Sequence, residues 1–511
     1  MSMTVINIIK GSFLQYARGY AYLITIAITI GIASLIIPAP SAGYTTMSFG
    51  SYSGVYNCTY FGLVTAIFAS VFLSLVGFFL IAGSIEKDIK SRVGVLIGTS
   101  RISNLGFLVF KMLSNFMVLL SMLAVIFFVT ISMFFYRSID QEFVLLEFIL
   151  PFLFIALPTL FFVSCLAVLL EVVFPKMRRI QYVLFFGIFM LTLLSPQSTQ
   201  TDLYGISYPE EQLISQISIL HPGENISLAV GIMPGKREAD KLVALKAISY
   251  PLSFIKYRLF WMLFGMFLVV LASLRFHRFD LSLERDTNLV DHEKIFKTSS
   301  DFRIESITEG ITFAPGIKSL VYAELVMMIR KNKKGLSALI LCGMIAMIFV
   351  PVSLSHCYLL PTLWFLQMIM WTDLTTKDKD LRTDYLSMTS LQPVKRILLA
   401  RISAALITAL VITLPLIVRY VLVLDLLSCI NVILGAVIVV LLSVLLGQLS
   451  KTNKLFEVIF FFMVYANLNL VPIADFFGGV HHTALYTLLL FTISILFFGL
   501  SYFLMIRYER S

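Results

Sequence analysis

The sequence predicts an all-α polytopic membrane protein: about twelve transmembrane helices as two six-helix repeats, with short helices at the membrane surface and a small external segment. Three observations lead there. Of the 511 residues 59% are hydrophobic and 13% charged, with a mean hydropathy of +0.93. A water-soluble domain carries roughly 25% charged residues, so lipid is the solvent for most of this surface. Apolar runs approaching the roughly 20 residues needed to cross a bilayer recur along the whole chain. Between them, Lys and Arg gather in alternate loops, as they do on the cytoplasmic side of membrane proteins.

In order, the first six runs lie at about 21–38, 61–83, 108–135, 145–172, 181–195 and 258–275. The next six lie at about 335–353, 357–372, 397–418, 421–449, 455–472 and 484–506. Odd-even assignment puts Lys87, Lys90, Arg92 and Arg101 on one side with Lys176, Arg178 and Arg179, with Arg330 and with the stretch Lys377 to Arg401. The opposite loops around Ser41–Tyr60, Ser353–His356 and Asp475–His482 contain no Lys or Arg. Both termini are therefore expected in the cytoplasm. The formal charge of +10 reads as lipid and partner contact at that face, not as a nucleic-acid signature.

A first half, 1–275, contains an external segment at about 196–257. Its Pro222-Gly223 and Pro234-Gly235 pairs mark turns, and helical spacing is read over Glu210–Leu220 and Glu238–Tyr250. Residues 276–318, rich in Asp and Glu, read as a cytoplasmic linker, and 319–511 form the second half. The five cysteines lack a CxxC pair, which argues against a metal or redox motif. Cys58 and Cys357 both fall near predicted outer ends of spans, which leaves a bridge between them open.

The halves share a repeat. A shift of 290 places Lys87 on Lys377, Asp88 on Asp378, Arg92 on Arg382, Thr99 on Thr389 and Ser100 on Ser390, with Lys111 on Arg401. Each copy follows the second span of its half and leads into the third. The charge rule accounts for the basic residues but does not require the matched Asp or the Thr-Ser turn, which suits the cap of a following helix.

On these residues the chain resembles the type-2 exporter permeases of ATP-binding-cassette transporters. In that family a coupling helix between spans two and three docks on a cytosolic ATPase. The segments Ile85–Lys111 and Lys377–Arg401 look like that loop, and Ala323–Arg330 resembles the interfacial helix before the seventh span, with Val5–Tyr20 a weaker copy. The resemblance implies a bacterial plasma-membrane location, two copies of an ATP-binding-cassette ATPase as partners beside membrane lipid, and ATP and Mg bound by those partners rather than by this chain. It makes Lys87, Asp88, Arg92, Thr99, Ser100, Lys377, Asp378, Arg382, Thr389 and Ser390 the coupling residues. It also implies that spans two, five, eight and eleven line the path, where Trp364, Gln367, Asn467 and Asn469 are the polar or amphipathic candidates. The same residues equally suit helix-to-helix hydrogen bonds within the bundle. A path lined by Phe and Met would suit an amphipathic peptide, drug or lipid.

Other chemistries leave little trace. No GxxxxGK[ST] loop is present; Gly235-Lys236-Arg237 lacks both the upstream glycine and the hydroxyl. His292-Glu293 begins a zinc-protease pattern, but Phe296 stands where its second His belongs. The chain is thus expected to catalyse nothing itself and to bind no metal. Glu147, Asp425 and Glu457 sit near span ends, with Arg419 close enough in sequence to pair with Asp425, so the midspan charge of an ion relay is missing. A gradient-driven secondary transporter with duplicated halves, or a non-transporting scaffold or sensor, remain the alternatives.

Overall fold

The computed structural model describes residues 2–39, 42, 44–90, 102–137, 143–175, 177–194, 198, 200–220, 227–234, 242–276, 316–331, 334–380, 383, 389, 394–468, 475–481 and 483–510. The chain forms two compact units, Met1–Lys297 and Thr298–Ser511. Both are built from long apolar helices, as the composition requires. In lipid every backbone N–H and C=O must be satisfied within the protein, and a helix does this within one segment.

Unit one contains α1 (Ser2–Ala17), α2 (Tyr20–Ile36), α3 (Cys58–Ile81), α4 (Ser84–Lys90) and α5 (Asn104–Arg137). It continues with α6 (Leu145–Val173), α7 (Arg178–Leu194), α8 (Ser207–Leu220) and α9 (Leu252–Arg275). Unit two contains α10 (Ile317–Lys331), α11 (Lys334–Phe349), α12 (Val352–Trp371), α13 (Lys377–Asp380), α14 (Leu399–Leu422), α15 (Leu426–Ser450), α16 (Lys454–Leu468) and α17 (Ala484–Arg510).

Among the described residues eight helices are long and apolar enough to cross a membrane, or up to ten if the bent pairs α1–α2 and α10–α11 each count as one span. The other two expected spans correspond to α7, with 17 residues, and α16, with 15. Both fall below the roughly 20 residues of a full crossing. Residues 469–472, the end of the expected eleventh span, lie outside the described residues.

The packing within each unit follows one pattern. The short first helix lies on the third long one, α1 on α5 and α10 on α14, and the fourth and last long helices form the most extensive pair, α6 with α9 and α15 with α17. Each first helix turns sharply into the next, by 72° in unit one and 101° in unit two.

One expectation needs correction, and one small element was not expected. Unit one holds a small sheet, order β3-β1-β2-β4, from β1 (Tyr44–Phe49), β2 (Tyr52–Gly54), β3 (Leu228–Pro234) and β4 (Leu242–Val243). Of the helix expected over Glu238–Tyr250, residues 238–241 lie outside the described residues and the rest is not helical: Leu242 and Val243 run parallel to Ser53 and Gly54, and the chain from Ala244 to Tyr250 is extended or irregular. The apolar spacing there serves a strand edge, a tertiary pairing that local periodicity does not report. The helix expected over Glu210–Leu220 lies within α8. Arg419 donates to the carbonyls of Met347 and Val350 at the end of α11, while Asp425 caps α15 by accepting from the Ser428 N–H at 3.2 Å.

Candidate functional site: matched ion clusters and matched aspartate turns

The segment after α3 is shaped by a glycine and a buried acid. Gly83 takes φ +79°, which breaks the helix, and α4 starts again at Ser84. The Glu171 carboxylate, from the end of α6, accepts from the N–H groups of Ile85 at 2.8 Å and Glu86 at 2.9 Å and from the Ser84 hydroxyl at 3.2 Å. It satisfies the open donors of the new helix, where negative charge is also favoured. Asp88 then meets Lys111 at 2.6 Å, with both side chains under a tenth exposed. Lys111 also reaches the Ser12 hydroxyl at 3.4 Å, and Lys87 lies over the Tyr16 ring, 3.9 Å from its centroid. Arg178 closes the cluster on Glu86 at 2.7 Å.

Unit two carries the corresponding pair. Asp378 accepts from Arg401 Nη2 with both oxygens, at 2.8 and 2.7 Å. The Asp and the basic residue are each displaced by 290 positions from Asp88 and Lys111. Glu324 of α10 bridges two cations, taking Lys377 on one oxygen and Arg401 Nε on the other at 3.2 Å. Lys331 pairs with Asp373 at 2.5 Å. In both units, therefore, the first helix, the end of the second long helix and the foot of the third meet around one group of charged side chains.

Lys87, Asp88, Lys377 and Asp378 thus sit together with partners that sequence reasoning did not assign, among them Glu171 and Glu324. Asp88 and Asp378 face inward onto Lys111 and Arg401. Thr389 lies exposed in a turn. Arg92, Thr99, Ser100, Arg382, Ser390 and Asn469 lie outside the described residues.

The path candidates in unit two are buried. Trp364 is fully enclosed and packs against Phe476 and Phe477, and its indole N–H has no acceptor among the described residues. Gln367 donates to the Met370 sulfur at 3.2 Å, and Asn467 to the Met463 carbonyl of its own helix at 2.8 Å. An open apolar groove of about 660 Å³ between α15 and α17, lined by residues such as Leu426, Ile430, Leu488 and Phe491, includes none of the three.

Away from the ion clusters each unit carries an aspartate turn. In unit one, the chain Asp202-Leu-Tyr-Gly205 folds around its own carboxylate. Asp202 accepts from the N–H groups of Tyr204, Gly205 and Ser207 at 2.9, 2.8 and 2.6 Å. In unit two, Asp475-Phe-Phe-Gly478 does the same, taking the N–H groups of Phe477, Gly478, Gly479, Val480 and His481 at 2.9 to 3.2 Å. Gly205 and Gly478 adopt φ +73° and +77°, which a side chain would resist.

Both turns rest on a π turn followed by Leu-Pro-Thr-Leu. Residues Phe152–Ala156 form one in α6, before Leu157-Pro158-Thr159-Leu160; Ser355–Leu359 form the other in α12, before Leu360-Pro361-Thr362-Leu363. A π turn and a proline together leave backbone carbonyls without helical donors. In unit one Arg258, buried in α9, supplies five N–H donors. They go to the carbonyls of Phe154, Ile155, Asp202 and Leu203 and to the Thr159 hydroxyl, at 2.7 to 3.2 Å. In unit two the seat is a histidine. His356 Nε2 lies 3.1 Å from the Phe477 carbonyl, which only accepts, so Nε2 carries the proton and Nδ1 receives the Tyr420 hydroxyl at 2.6 Å.

The remaining sequence candidates resolve simply. Asn57, in an Asn-Cys-Thr pattern, caps α3 by accepting from the Tyr60 N–H at 2.9 Å and donates to the Leu245 carbonyl at 2.6 Å. All five cysteines are free thiols. Among the described residues no group of three or more His, Cys, Asp or Glu side chains is placed to hold a metal. His292 and Glu293 lie outside the described residues. Comparison with protein-family models, with curated proteins and with solved structures found no match.

Proposed function

We propose that the chain is the permease of an ATP-driven exporter, with two pseudo-equivalent six-span halves, twelve spans in all. Two cytosolic ATP-binding-cassette subunits would bind and hydrolyse ATP with Mg and push on the segments that follow α3 and α12. One observation carries this reading: an acid-base pair recurs at positions 290 apart, Asp88 with Lys111, both buried, and the partly buried Asp378 with buried Arg401, each tying the end of a second helix to the foot of a third.

A force transmitter needs this arrangement. A push on a surface loop moves a membrane helix only if the loop is stiffly joined to it, and a buried pair resists separation by about 3–5 kcal/mol when one partner is removed. The role of Asp88 and Asp378 is then to brace the coupling segments from behind. Contact with the ATPase falls to their more exposed neighbours and to the adjoining Arg92 and Arg382. Cargo would be an amphipathic peptide, drug or lipid, and the membrane a bacterial plasma membrane with both termini cytoplasmic.

The test is purification of the chain from its native membrane in mild detergent. An ATP-binding-cassette ATPase is expected to accompany it, to be lost with D88K, and to return with D88K/K111D, which restores the pair in reverse. A fully folded D88K variant that retains the ATPase would remove the bracing assignment. Absence of any ATPase from the parent preparation, with transport that follows an ion gradient, would replace the exporter by the secondary-transporter reading.

A further inference from the structure

We propose that the two aspartate turns are matched plugs, each sealing its own unit at the end remote from the ion cluster and opening as a preformed piece. Non-helical backbone at membrane depth is tolerated only where protein buries it or where it lines a water-filled cavity. Both units place such backbone twice over, a π turn with a proline and an irregular aspartate turn; in unit one Arg258 ties the carbonyls of both together, and in unit two His356 of the π turn bonds the Phe477 carbonyl.

In unit one the Tyr204 carbonyl accepts from the Ser70 hydroxyl at 3.2 Å, twelve residues into α3, so the turn reaches the middle of that helix. In unit two the Phe477 carbonyl, from the same position of the turn, accepts from His356 of α12. The same atom of the turn is thus pinned to the second long helix of each unit. That helix ends in the ion cluster.

The turn itself is stiff. Its amides converge on one carboxylate, and its apolar side chains are buried: Leu203 and Tyr204 in one unit, Phe476 and Phe477 in the other. Gly435 of α15 shows how closely the second plug seats, because a Cβ there would come within 2.4 Å of Phe477 Cβ. Such a plug leaves by sliding from its seat with its internal hydrogen bonds intact. What it uncovers further is Cys357, half-buried in the seated state, whose thiol lies 3.3 Å from the Gly479 carbonyl.

Cys357 therefore reports on the second plug. With the other four cysteines replaced, full-length protein in lipid vesicles is treated with a charged, membrane-impermeant maleimide. Slow labelling is expected in the parent and labelling about tenfold faster in Gly435→Ala, which wedges the plug from its seat without touching its carboxylate, at an unchanged thermal midpoint. Asp475→Asn, which weakens the turn itself, should also label faster, and Asp202→Asn, in the other unit, should leave the Cys357 rate alone. Parent-like labelling of Gly435→Ala overturns the proposal, as does acceleration that appears only with a lowered midpoint. Should Gly435→Ala fail to fold, His356→Gln, which weakens the seat without adding volume, carries the same test. The outcome is independent of any ATPase, so it stands or falls apart from the exporter reading.

Discussion

Asp88 meets Lys111 through one oxygen, whereas Asp378 holds Arg401 with both, and the surrounding groups follow from that difference. Lysine is a point charge with three rotatable donors; arginine offers a planar fork that matches a carboxylate and still has an Nε–H to give. In unit two the spare Nε–H goes to Glu324, which also holds Lys377, so four charges form one network. In unit one the surface helix contributes a serine hydroxyl and a tyrosine ring instead. In unit one the Asp88–Lys111 pair stands beside the Arg178–Glu86 pair and the Glu171 carboxylate, whereas in unit two the acid-base pair is itself part of the four-charge network. Unit two should therefore be the stiffer connection.

Removing the cation should break that comparison most strongly. Arg401→Met leaves two carboxylates, Asp378 and Glu324, buried around the lost charge, and should cost unit two about 3–5 kcal/mol in denaturant unfolding in detergent. Lys111→Met removes the cation 2.6 Å from Asp88 and should cost about 3 kcal/mol or less. Equal losses would mean that Glu324 adds nothing to the network.

Exchanging the cations sharpens it. Arg401→Lys keeps the charge and forfeits the fork, so a loss of about 1–2 kcal/mol is expected, the scale of one or two charge-assisted hydrogen bonds. Lys111→Arg brings a fork to a site with a single carboxylate and a hydroxyl, and no gain beyond about 0.5 kcal/mol is expected from surroundings not shaped for it. A large gain would show that the lysine site already has the room and the acceptors of the arginine site.

How much of this was legible in the sequence depends on the reach of each signal. The long helices were readable because lipid imposes a run of apolar residues on each, whatever its neighbours are. The 290-residue shift aligned Asp88 with Asp378 and Lys111 with Arg401, yet it could not show that each acid faces its own basic residue across a helical hairpin. The sheet was invisible, since Tyr44–Phe49 and Leu228–Pro234 meet only after a long excursion of the chain. The aspartate turns and their seats were readable in principle: Asp-Leu-Tyr-Gly recurs as Asp-Phe-Phe-Gly, and Leu-Pro-Thr-Leu-Phe-Phe as Leu-Pro-Thr-Leu-Trp-Phe. They escape a search at one fixed offset because the first pair is 273 apart and the second 203. The Leu-Pro-Thr-Leu seat also lies in the fourth long helix of unit one and the second of unit two.

The smallest expected effect separates the two ends of unit two by pH. Burial pushes the Asp475 carboxyl up, but the N–H groups of Val480, His481, Gly479 and Phe477 outweigh it and hold the group below the ordinary carboxylate range. A depressed value means that the turn binds the carboxylate form. Its contribution is full above the unfolded value of about 3.9 and is lost only as pH falls through the lower folded one. Trp364 packs on Phe476 and Phe477 and so reports the turn directly. With Trp261 and Trp371 changed to Phe, its fluorescence should stay level from pH 6 to about 4 and change only below that, and Asp475→Asn should abolish the change. A transition centred above about pH 5 that Asp475→Asn removes and that persists in His356→Gln and His481→Gln would mean that the backbone amides do not hold the carboxylate, and the plug would then lack its rigidity.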